Sequence, residues 1–249
     1  EFDDCRLRIL DTRRAGDRIA HVAQWSGNDD AREWFGAHRG GHLAVDRSAR
    51  YDTMRNHTAT HALHAALRRV LGKHVAQAGS LVEPERLRFD FHHFSAMTPE
   101  QIEEVERIVN DAVMADLTVA TEYMPYRKAL EAGAMALFGE KYGDTVRVVS
   151  IEDFSRELCG GTHLDRTGEI GTFLIRQESA VGSGVRRIEA LTGRGAYEHV
   201  KKLERNLGTV ADMLKVAPAD VERRLRALLD EVDAAQKQRR REEAARARE

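Results

Sequence analysis

Apolar positions at helical spacing mark two helices of the chain. From Tyr51 to Leu71 an apolar stripe runs along one face, and Gly72 follows as a residue type that ends helices. This stripe consists of Leu63, Leu67, Val70 and Leu71. A second helix is predicted after Thr98, the expected N-cap, with Pro99 at the first helical position and Gln101 closing a capping box. Its stripe consists of Ile102, Val105, Ile108, Val109 and Val113.

Short apolar and β-branched runs predict strands on both sides of these helices. Arg6 to Leu10 and Arg18 to Ala23 predict a partial β-barrel unit over residues 1–50. The later predicted strands are Val146 to Ile151, Thr172 to Arg176 and Val185 to Thr192. Residues 51–196 mix helices and strands without a regular alternation, so the predicted fold class is α+β.

Two glycine-rich stretches interrupt these runs. Gly36 to Gly41 lies in a charged part of the first unit. Gly182-Ser183-Gly184 separates the last two predicted strands, and we interpret it as a hairpin turn. The alternative is a loop that cradles a phosphate group.

The chain from residue 197 to residue 249 is predicted to be almost entirely helical. The sequence Val216-Ala217-Pro218 interrupts the helical pattern, which predicts an antiparallel helical hairpin. Apolar positions near heptad spacing follow the break, and they also favour self-association through these helices. These positions are Val221, Leu225, Leu228 and Val232.

Composition limits the classes of function. A chain of 249 residues can bury a sizeable core, and a formal net charge of -2 argues against a protein that coats nucleic acid by bulk electrostatics. Any RNA contact must therefore come from local basic patches, each of which is also readable as an ordinary solvated face. The candidates are Arg68, Arg69, Lys73, Arg127, Lys128, Arg186 and Arg187.

Cysteine use and hydropathy indicate the compartment. The two cysteines are widely separated, which favours a reducing environment. The sequence shows neither a signal peptide nor an apolar run of eighteen residues, so we expect a cytoplasmic protein without membrane contact. The chain begins at Glu1 within a strand region, and we expect it to be a fragment.

The strongest chemical signal is a set of two residue pairs at spacing i, i+4. His57 and His61 lie on the first predicted helix beside its apolar stripe, and Cys159 and His163 flank Gly160-Gly161 in a predicted loop. Three imidazoles and one thiolate form a ligand set suited to a single tetrahedral Zn²⁺. The histidine pair alone would more often be an ordinary helix face, but the second pair favours a metal site.

Other chemistry near these pairs is limited. A zinc protease motif would need a glutamate directly after its first histidine, and Thr58 occupies that position. His64 lies on the same side of the helix as His61, and we interpret it as a residue that packs behind the ligands. His92 and His93 have no partner at ligand spacing and are interpreted as structural.

Five stretches in the same order closely resemble the editing region of alanyl-tRNA synthetases. They are Arg55–His61 (RNHTATH), Leu87–Phe91 (LRFDF), Gly133–Asp144 (GAMALFGEKYGD), Glu157–His163 (ELCGGTH) and Gly184–Ala190 (GVRRIEA). Threonyl-tRNA synthetases have a related editing fold with similar ligand pairs, but the third and fourth stretches resemble the alanyl family. The resemblance covers nearly the whole chain, and it implies the second-additional-domain type of editing fold with both pairs binding zinc.

The resemblance also implies an activity and a pocket. In that family the region hydrolyses the ester of tRNA(Ala) mischarged with serine or glycine. Thr60, Gln77 and Ser80 match residues in or beside the editing pocket, and their hydroxyl and amide groups suit recognition of a serine side chain. Without the family resemblance, Thr60 would be interpreted as an ordinary helix residue, and Gln77 and Ser80 as ordinary residues of the loop after the helix.

The chain departs from the family in what it contains. It has no class II core for ATP and alanine, lacks the glycine-rich stretch before the β unit, and lacks the globular domain after the helices. We therefore expect it not to aminoacylate. A zinc-stabilised tRNA-binding module without hydrolytic activity and a free-standing trans-editing protein are the alternatives, and the sequence does not distinguish a catalytic from a structural zinc.

Overall fold

The computed structural model of the chain describes residues 5–27, 30, 32–33, 36, 42–136 and 142–246. The chain divides into two compact units, Glu1–Arg50 and Tyr51–Glu249. The predicted glycine-rich stretch beyond Gly36 lies outside the described residues, as do residues 137–141 of the stretch that begins at Gly133.

The first unit contains an antiparallel strand pair. Strands β1 (Cys5–Ala15) and β2 (Arg18–Gly27) pair from Cys5 opposite Gly27 to Ala15 opposite Arg18, with a register shift between Ile9 and Asp11. The turn between them is closed by Gly16 at φ 63°, a conformation that glycine adopts readily. Both predicted strands of this unit are confirmed and are longer than predicted.

The second unit contains two antiparallel sheets and the helices around them, which confirms the α+β class. The larger sheet has the strand order β3-β4-β9-β8, and the smaller sheet has the order β5-β6-β7. Their strands are β3 (Gln77–Val82), β4 (Leu87–His92), β5 (Val119–Pro125), β6 (Thr145–Ile151), β7 (Ser155–Leu158), β8 (Phe173–Gly182) and β9 (Val185–Thr192). The helices from Arg47 onward are α1 (Arg47–Leu71), α2 (Pro99–Met114), α3 (Tyr126–Glu131), α4 (Gly193–Leu214) and α5 (Val221–Arg246).

The main core lies between α1 and the larger sheet. Residues 58–67 of α1 are all buried, so this helix is enclosed around its whole circumference rather than along one stripe. Strand β4 alternates buried and partly buried positions and contributes Phe89 and Phe91 to the core. Burial of each such side chain contributes about 1.5–3 kcal/mol, so the packing fixes α1 firmly on the sheet. Gly72 ends α1 at φ 115°, as predicted.

Helix α2 begins with the predicted capping box. The Thr98 hydroxyl accepts a hydrogen bond from the Gln101 amide, and the Gln101 side chain accepts one from the Thr98 amide. Later in the helix, Asn110 bonds both backbone groups of Phe173 and thereby ties α2 to β8. The turn at residues 182–184 joins β8 and β9 as a hairpin, which confirms the first of its two interpretations.

The two C-terminal helices and the break between them are confirmed. Helix α4 ends at Lys215 in the left-handed conformation, and a short 3-10 turn at Pro218–Asp220 leads into α5. Leu225 and Val232 of the predicted apolar seam are about half exposed. Self-association through this segment stays a prediction.

Among the described residues, no helix is long and apolar enough to cross a bilayer.

Candidate metal centre

The two ligand pairs predicted from the sequence meet in space. One potential ligand atom from each of His57, His61, Cys159 and His163 lies within 4.8 Å of all the others. The Cys159 Sγ atom is 3.4 Å from His57 Nε2 and 3.3 Å from His163 Nε2. The cluster joins the middle of α1 to the loop that follows β7, two segments about a hundred residues apart in the chain.

This geometry fits a tetrahedral metal ion. Zinc bonds of about 2.0 Å to nitrogen and 2.3 Å to sulfur place the ligand atoms of a tetrahedron about 3.3–3.5 Å apart. For a sulfur and a nitrogen the expected separation is about 3.5 Å, and the observed distances of 3.3 and 3.4 Å are within about 0.2 Å of it. The His61 Nε2 atom is buried and has no hydrogen-bond partner among the described residues, as expected of a nitrogen that faces an ion. The donor set and its burial therefore suit Zn²⁺.

Glu157 orients His61 from behind. Its Oε2 atom lies 2.8 Å from His61 Nδ1, and its Oε1 atom lies 3.0 Å from His64 Nδ1. The carboxylate also accepts a hydrogen bond of 3.3 Å from Ser155 Oγ. An Nδ1–H that donates to a carboxylate leaves Nε2 free for the metal, which is the usual arrangement behind a metal-binding histidine.

The buried charges of this network stabilise one another. Burial alone would lower the pKa of His61, but the Glu157 carboxylate and the Cys159 thiolate together outweigh it and raise that pKa to about 10. Burial would raise the pKa of Glu157, yet the two histidines hold it far below its ordinary range. Without a metal ion, His61 and Glu157 therefore form a buried ion pair at neutral pH.

The surroundings of Cys159 favour its thiolate form. Burial opposes charge on the sulfur, but hydrogen bonds with His163 and His57 lower the pKa of Cys159 to about 3. Burial, together with positive charge on His61, lowers the pKa of His163 to about 4. On its other side, the His163 Nδ1 atom lies 3.3 Å from the buried Thr58 hydroxyl. A thiolate and a neutral imidazole are the forms that bind a metal.

The loop that carries Cys159 and His163 is held close to α1. The Arg147 guanidinium on β6 donates hydrogen bonds of 2.7 Å to the carbonyls of both Cys159 and Gly161. A Cβ atom at Gly161 would lie 2.1 Å from Cε1 of His57, whereas one at Gly160 would meet nothing within 4 Å. A close approach of the glycine backbone is therefore specific to Gly161, and its partner is the His57 side chain.

The structure gives each of the three predicted pocket residues a local partner. Thr60 directly precedes His61 on α1, and its buried hydroxyl donates a hydrogen bond of 2.8 Å to the Asn56 carbonyl. Gln77 and Ser80 lie on β3, where the Gln77 amide donates to the Ser80 hydroxyl at 3.2 Å. Their participation in a substrate pocket stays a prediction.

The basic candidates fall into different environments. Arg186 and Arg187 each donate two hydrogen bonds to a carboxylate, that of Glu178 and of Asp90 respectively. The exposed Arg127 pairs with Glu131. Arg68, Arg69 and Lys73, by contrast, line a cleft at the C-terminal end of α1. Contact of any of these residues with RNA stays a prediction.

Several residues of the centre carry no sequence signal of their own. Glu157, Thr58 and Arg147 act on ligands or loop carbonyls through contacts across the fold, and no spacing rule links them to their partners. His64 packs behind the ligands as predicted, because it shares Glu157 with His61. His93 contacts the ring of His74 rather than any group of the metal centre.

Comparison with known proteins agrees with this geometry. Residues 146–189 match the family model described as the threonyl and alanyl tRNA synthetase second additional domain. That range contains Cys159 and His163 and ends at Glu189 on β9.

Relatives match the chain over most of its length. The alanine–tRNA ligase of Acetivibrio thermocellus is 48% identical over 242 residues, which are 96% of this chain and 27% of that protein. The enzyme of Halorhodospira halophila is 49% identical over 86% of this chain and 24% of its own length. That of Fervidobacterium nodosum is 53% identical over 75% of this chain and 22% of its own length. The chain thus spans about a quarter of the length of these relatives. It belongs, as a region that contains the second additional domain, to the alanine–tRNA ligase family.

Proposed function

We propose that this region is an aminoacyl-tRNA deacylase that hydrolyses the ester of tRNA(Ala) mischarged with serine or glycine. The observation that carries the proposal is the cluster of His57, His61, Cys159 and His163, of which Cys159 and His163 lie in the range that matches the second additional domain. The substrate in this proposal is the 3′ end of the charged tRNA, and the cofactor is one Zn²⁺.

The need for a second site follows from size discrimination. An alanine pocket excludes larger side chains but cannot strongly reject glycine, which is smaller, or serine, which adds only a hydroxyl group. A separate site that hydrogen-bonds the hydroxyl can discriminate against an analogue lacking it by roughly 10⁴ to 10⁵. Such a site removes serine from tRNA(Ala) and leaves the alanyl ester intact. A glycyl ester also lacks the hydroxyl, so its removal does not depend on this contact.

Thr60 is suited to recognise the serine hydroxyl. Its own proton is donated to the Asn56 carbonyl, so its oxygen lone pairs remain available to accept a hydrogen bond. In the proposed role Thr60 accepts from the seryl hydroxyl, and the Gln77 and Ser80 pair contributes further polar groups. An alanyl group has no hydroxyl to satisfy this acceptor and binds less well.

The metal centre has an organising role in this proposal. Four protein ligands complete a tetrahedral site, whereas a catalytic zinc usually keeps one position open for water. When bound, zinc supplies positive charge and fixes the relative position of α1 and the ligand loop. Glu157 keeps His61 in its binding tautomer, and Arg147 holds the loop carbonyls. We infer that this order positions the aminoacyl end of the tRNA.

The location and the partner follow from the same proposal. A free thiol in a metal ligand set requires a reducing environment, which supports the cytoplasm as the expected location. The partner is tRNA(Ala) carrying the wrong amino acid.

Substitution of the pocket tests the proposal. Thr60→Val preserves the side-chain shape and removes the hydroxyl. We expect kcat/KM for Ser-tRNA(Ala) to fall at least about tenfold, because the loss of one hydrogen bond worth about 1.4 kcal/mol corresponds to a tenfold change. The matched control is Thr209→Val, because the Thr209 hydroxyl on α4 also donates to the carbonyl four residues earlier. Hydrolysis that persists unchanged in Thr60→Val would contradict the assigned pocket. A zinc-loaded wild type that binds tRNA(Ala) without hydrolysis would instead favour the binding module.

A further inference from the structure

A cleft of about 620 Å³ opens at the C-terminal end of α1. Its lining includes Arg68, Arg69 and Lys73 from the end of α1 and the residues just after it, together with Phe154 and Arg156. Two carboxylates, Glu152 and Asp153, also line it, so cationic side chains outnumber anionic ones by four to two. The Oε1 atom of Glu152 is directed to the backbone amide of Thr118, from which it accepts a hydrogen bond of 2.7 Å.

The arginines of this cleft are held by backbone carbonyls. Nη1 of Arg68 donates to the carbonyls of Lys73 and Val75 at 2.8 and 2.6 Å. Nη1 of Arg156 donates to the carbonyl of Ala132 at 2.8 Å. A carbonyl orients a guanidinium without neutralising it, and within the described part of the chain neither arginine forms an ion pair with a carboxylate. Both therefore keep a full positive charge in a fixed position.

Arg69 is fixed in a different way. Its guanidinium carbon lies 4.0 Å from the centre of the Phe154 ring, and its Nη2 atom donates to the Phe154 carbonyl at 3.3 Å. Stacking on a ring leaves the edges of the guanidinium plane free to donate hydrogen bonds. Pre-oriented guanidinium groups bind the oxygens of a phosphate with little further loss of side-chain entropy.

The cleft is connected to the metal centre. Ala65, which lies one helical turn after His61, and Ser155 both line it. The Ser155 hydroxyl donates to Glu157, and Glu157 bonds His61. An anion bound in the cleft would therefore lie on the Glu157 side of the ligand network.

We propose that this cleft binds the phosphodiester backbone of the RNA whose charged end is hydrolysed at the metal centre. The proposal rests on the proposed function for the identity of the RNA. A cleft of about 620 Å³ that is lined by four cationic side chains is larger than a single small anion requires, and it suits several phosphates of one chain. The contribution of each cation is independent of sequence, so it affects affinity and not the choice of amino acid.

Charge removal tests the cleft with tRNA(Ala) as the probe. Arg69→Gln and Lys73→Gln are the variants of choice. Arg68 and Arg156 hold the local backbone through hydrogen bonds of 2.6–2.8 Å, whereas the one backbone hydrogen bond of Arg69 is 3.3 Å long. At about 0.1 M salt each lost phosphate contact should raise Kd roughly five- to eightfold, and it should lower the slope of log K against log salt by about 0.7–0.9. The control is Arg107→Gln, an exposed arginine that pairs with Glu104 and Asp111 on α2. Circular dichroism and zinc content confirm that each variant is folded and loaded.

The outcomes separate this inference from the proposed function. An increased Kd and KM with an unchanged kcat for Ser-tRNA(Ala) supports the cleft, whereas Kd values and salt slopes equal to those of Arg107→Gln would overturn it. Full competition by millimolar inorganic phosphate would also overturn it, since it would reveal a small-anion site. A wild type that binds tRNA(Ala) with a salt slope whose magnitude falls by about 0.7–0.9 in each variant, and that nevertheless hydrolyses no ester, would support the cleft and refute the deacylase.

Discussion

Glu157→Gln gives the sharpest test of how the metal centre is organised. Glu157 is 4% exposed, and its two oxygens accept hydrogen bonds from Nδ1 of His61 and of His64. Glutamine has the same shape but only one accepting oxygen, so one of the two imidazoles would face an amide NH₂ group instead. Loss of such an outer partner lowers metal affinity about 10–100-fold, which corresponds to about 1.4–2.7 kcal/mol.

The assay is competition for zinc between the protein and a chelator of known affinity. The control is Glu104→Gln, which removes an exposed carboxylate that pairs with Arg107 on α2. Thermal unfolding of the metal-free proteins shows separately whether the substitution weakens the fold, and Glu157→Asp tests whether a shorter carboxylate restores affinity. A Glu157→Gln protein that folds normally and binds zinc as tightly as Glu104→Gln would refute the reasoning.

Three further predictions concern other parts of the structure. Gly161→Ala should release zinc, because the new Cβ would lie 2.1 Å from a His57 ring atom, while Gly160→Ala should keep it; metal analysis of both purified proteins decides. Zinc must displace the proton that His61 holds up to a pKa of about 10, so affinity should rise with pH through neutrality by about tenfold per unit. Calorimetry in buffers of different ionisation enthalpy should then detect proton release, and heats that do not depend on the buffer would contradict it. Thr98→Ala should lower the free energy of unfolding by about 1 kcal/mol through loss of the cap on α2, and urea denaturation with an unchanged midpoint would exclude that role.

The meeting of these four side chains could be predicted from the sequence because the signal of each pair is local, while their role as metal ligands stays a prediction. Each pair sits at i, i+4, a spacing that places both side chains on one side of a helix or turn, and the chemistry of three imidazoles and a thiolate limits the choice of ion. The capping box at Thr98 and the hairpin turn at residues 182–184 are equally local, and both are confirmed.

The residues that support the ligands, by contrast, could not be predicted from local spacing. Glu157 meets His61 across 96 positions, and Arg147 meets the loop carbonyls from a neighbouring strand. These contacts depend on the packing of β6, β7 and α1, which the hydrophobic pattern does not specify in three dimensions. The same limit applies to the cleft, where Arg156 joins cations from a distant part of the chain.

The hydrophobic pattern also does not predict that α1 is buried on all sides. A stripe of four apolar residues predicts a helix with one buried face, yet every residue from Thr58 to Leu67 is buried. Polar side chains on the other face are accommodated because they find partners. The Thr60 hydroxyl bonds Asn56, and the Asn56 amide in turn bonds the Glu83 carbonyl and accepts from Thr192. His61 lies on this buried polar face, where the low dielectric strengthens its interactions.

The most direct test of the account is single-turnover release of amino acid from Ser-tRNA(Ala) beside Ala-tRNA(Ala), with zinc content measured on the same samples of wild type and Cys159→Ala. The account predicts that the zinc-loaded wild type releases serine and spares alanine. It also predicts that Cys159→Ala loses both the metal and the activity. A folded, zinc-loaded wild type that releases neither amino acid, or releases alanine as fast as serine, would contradict it.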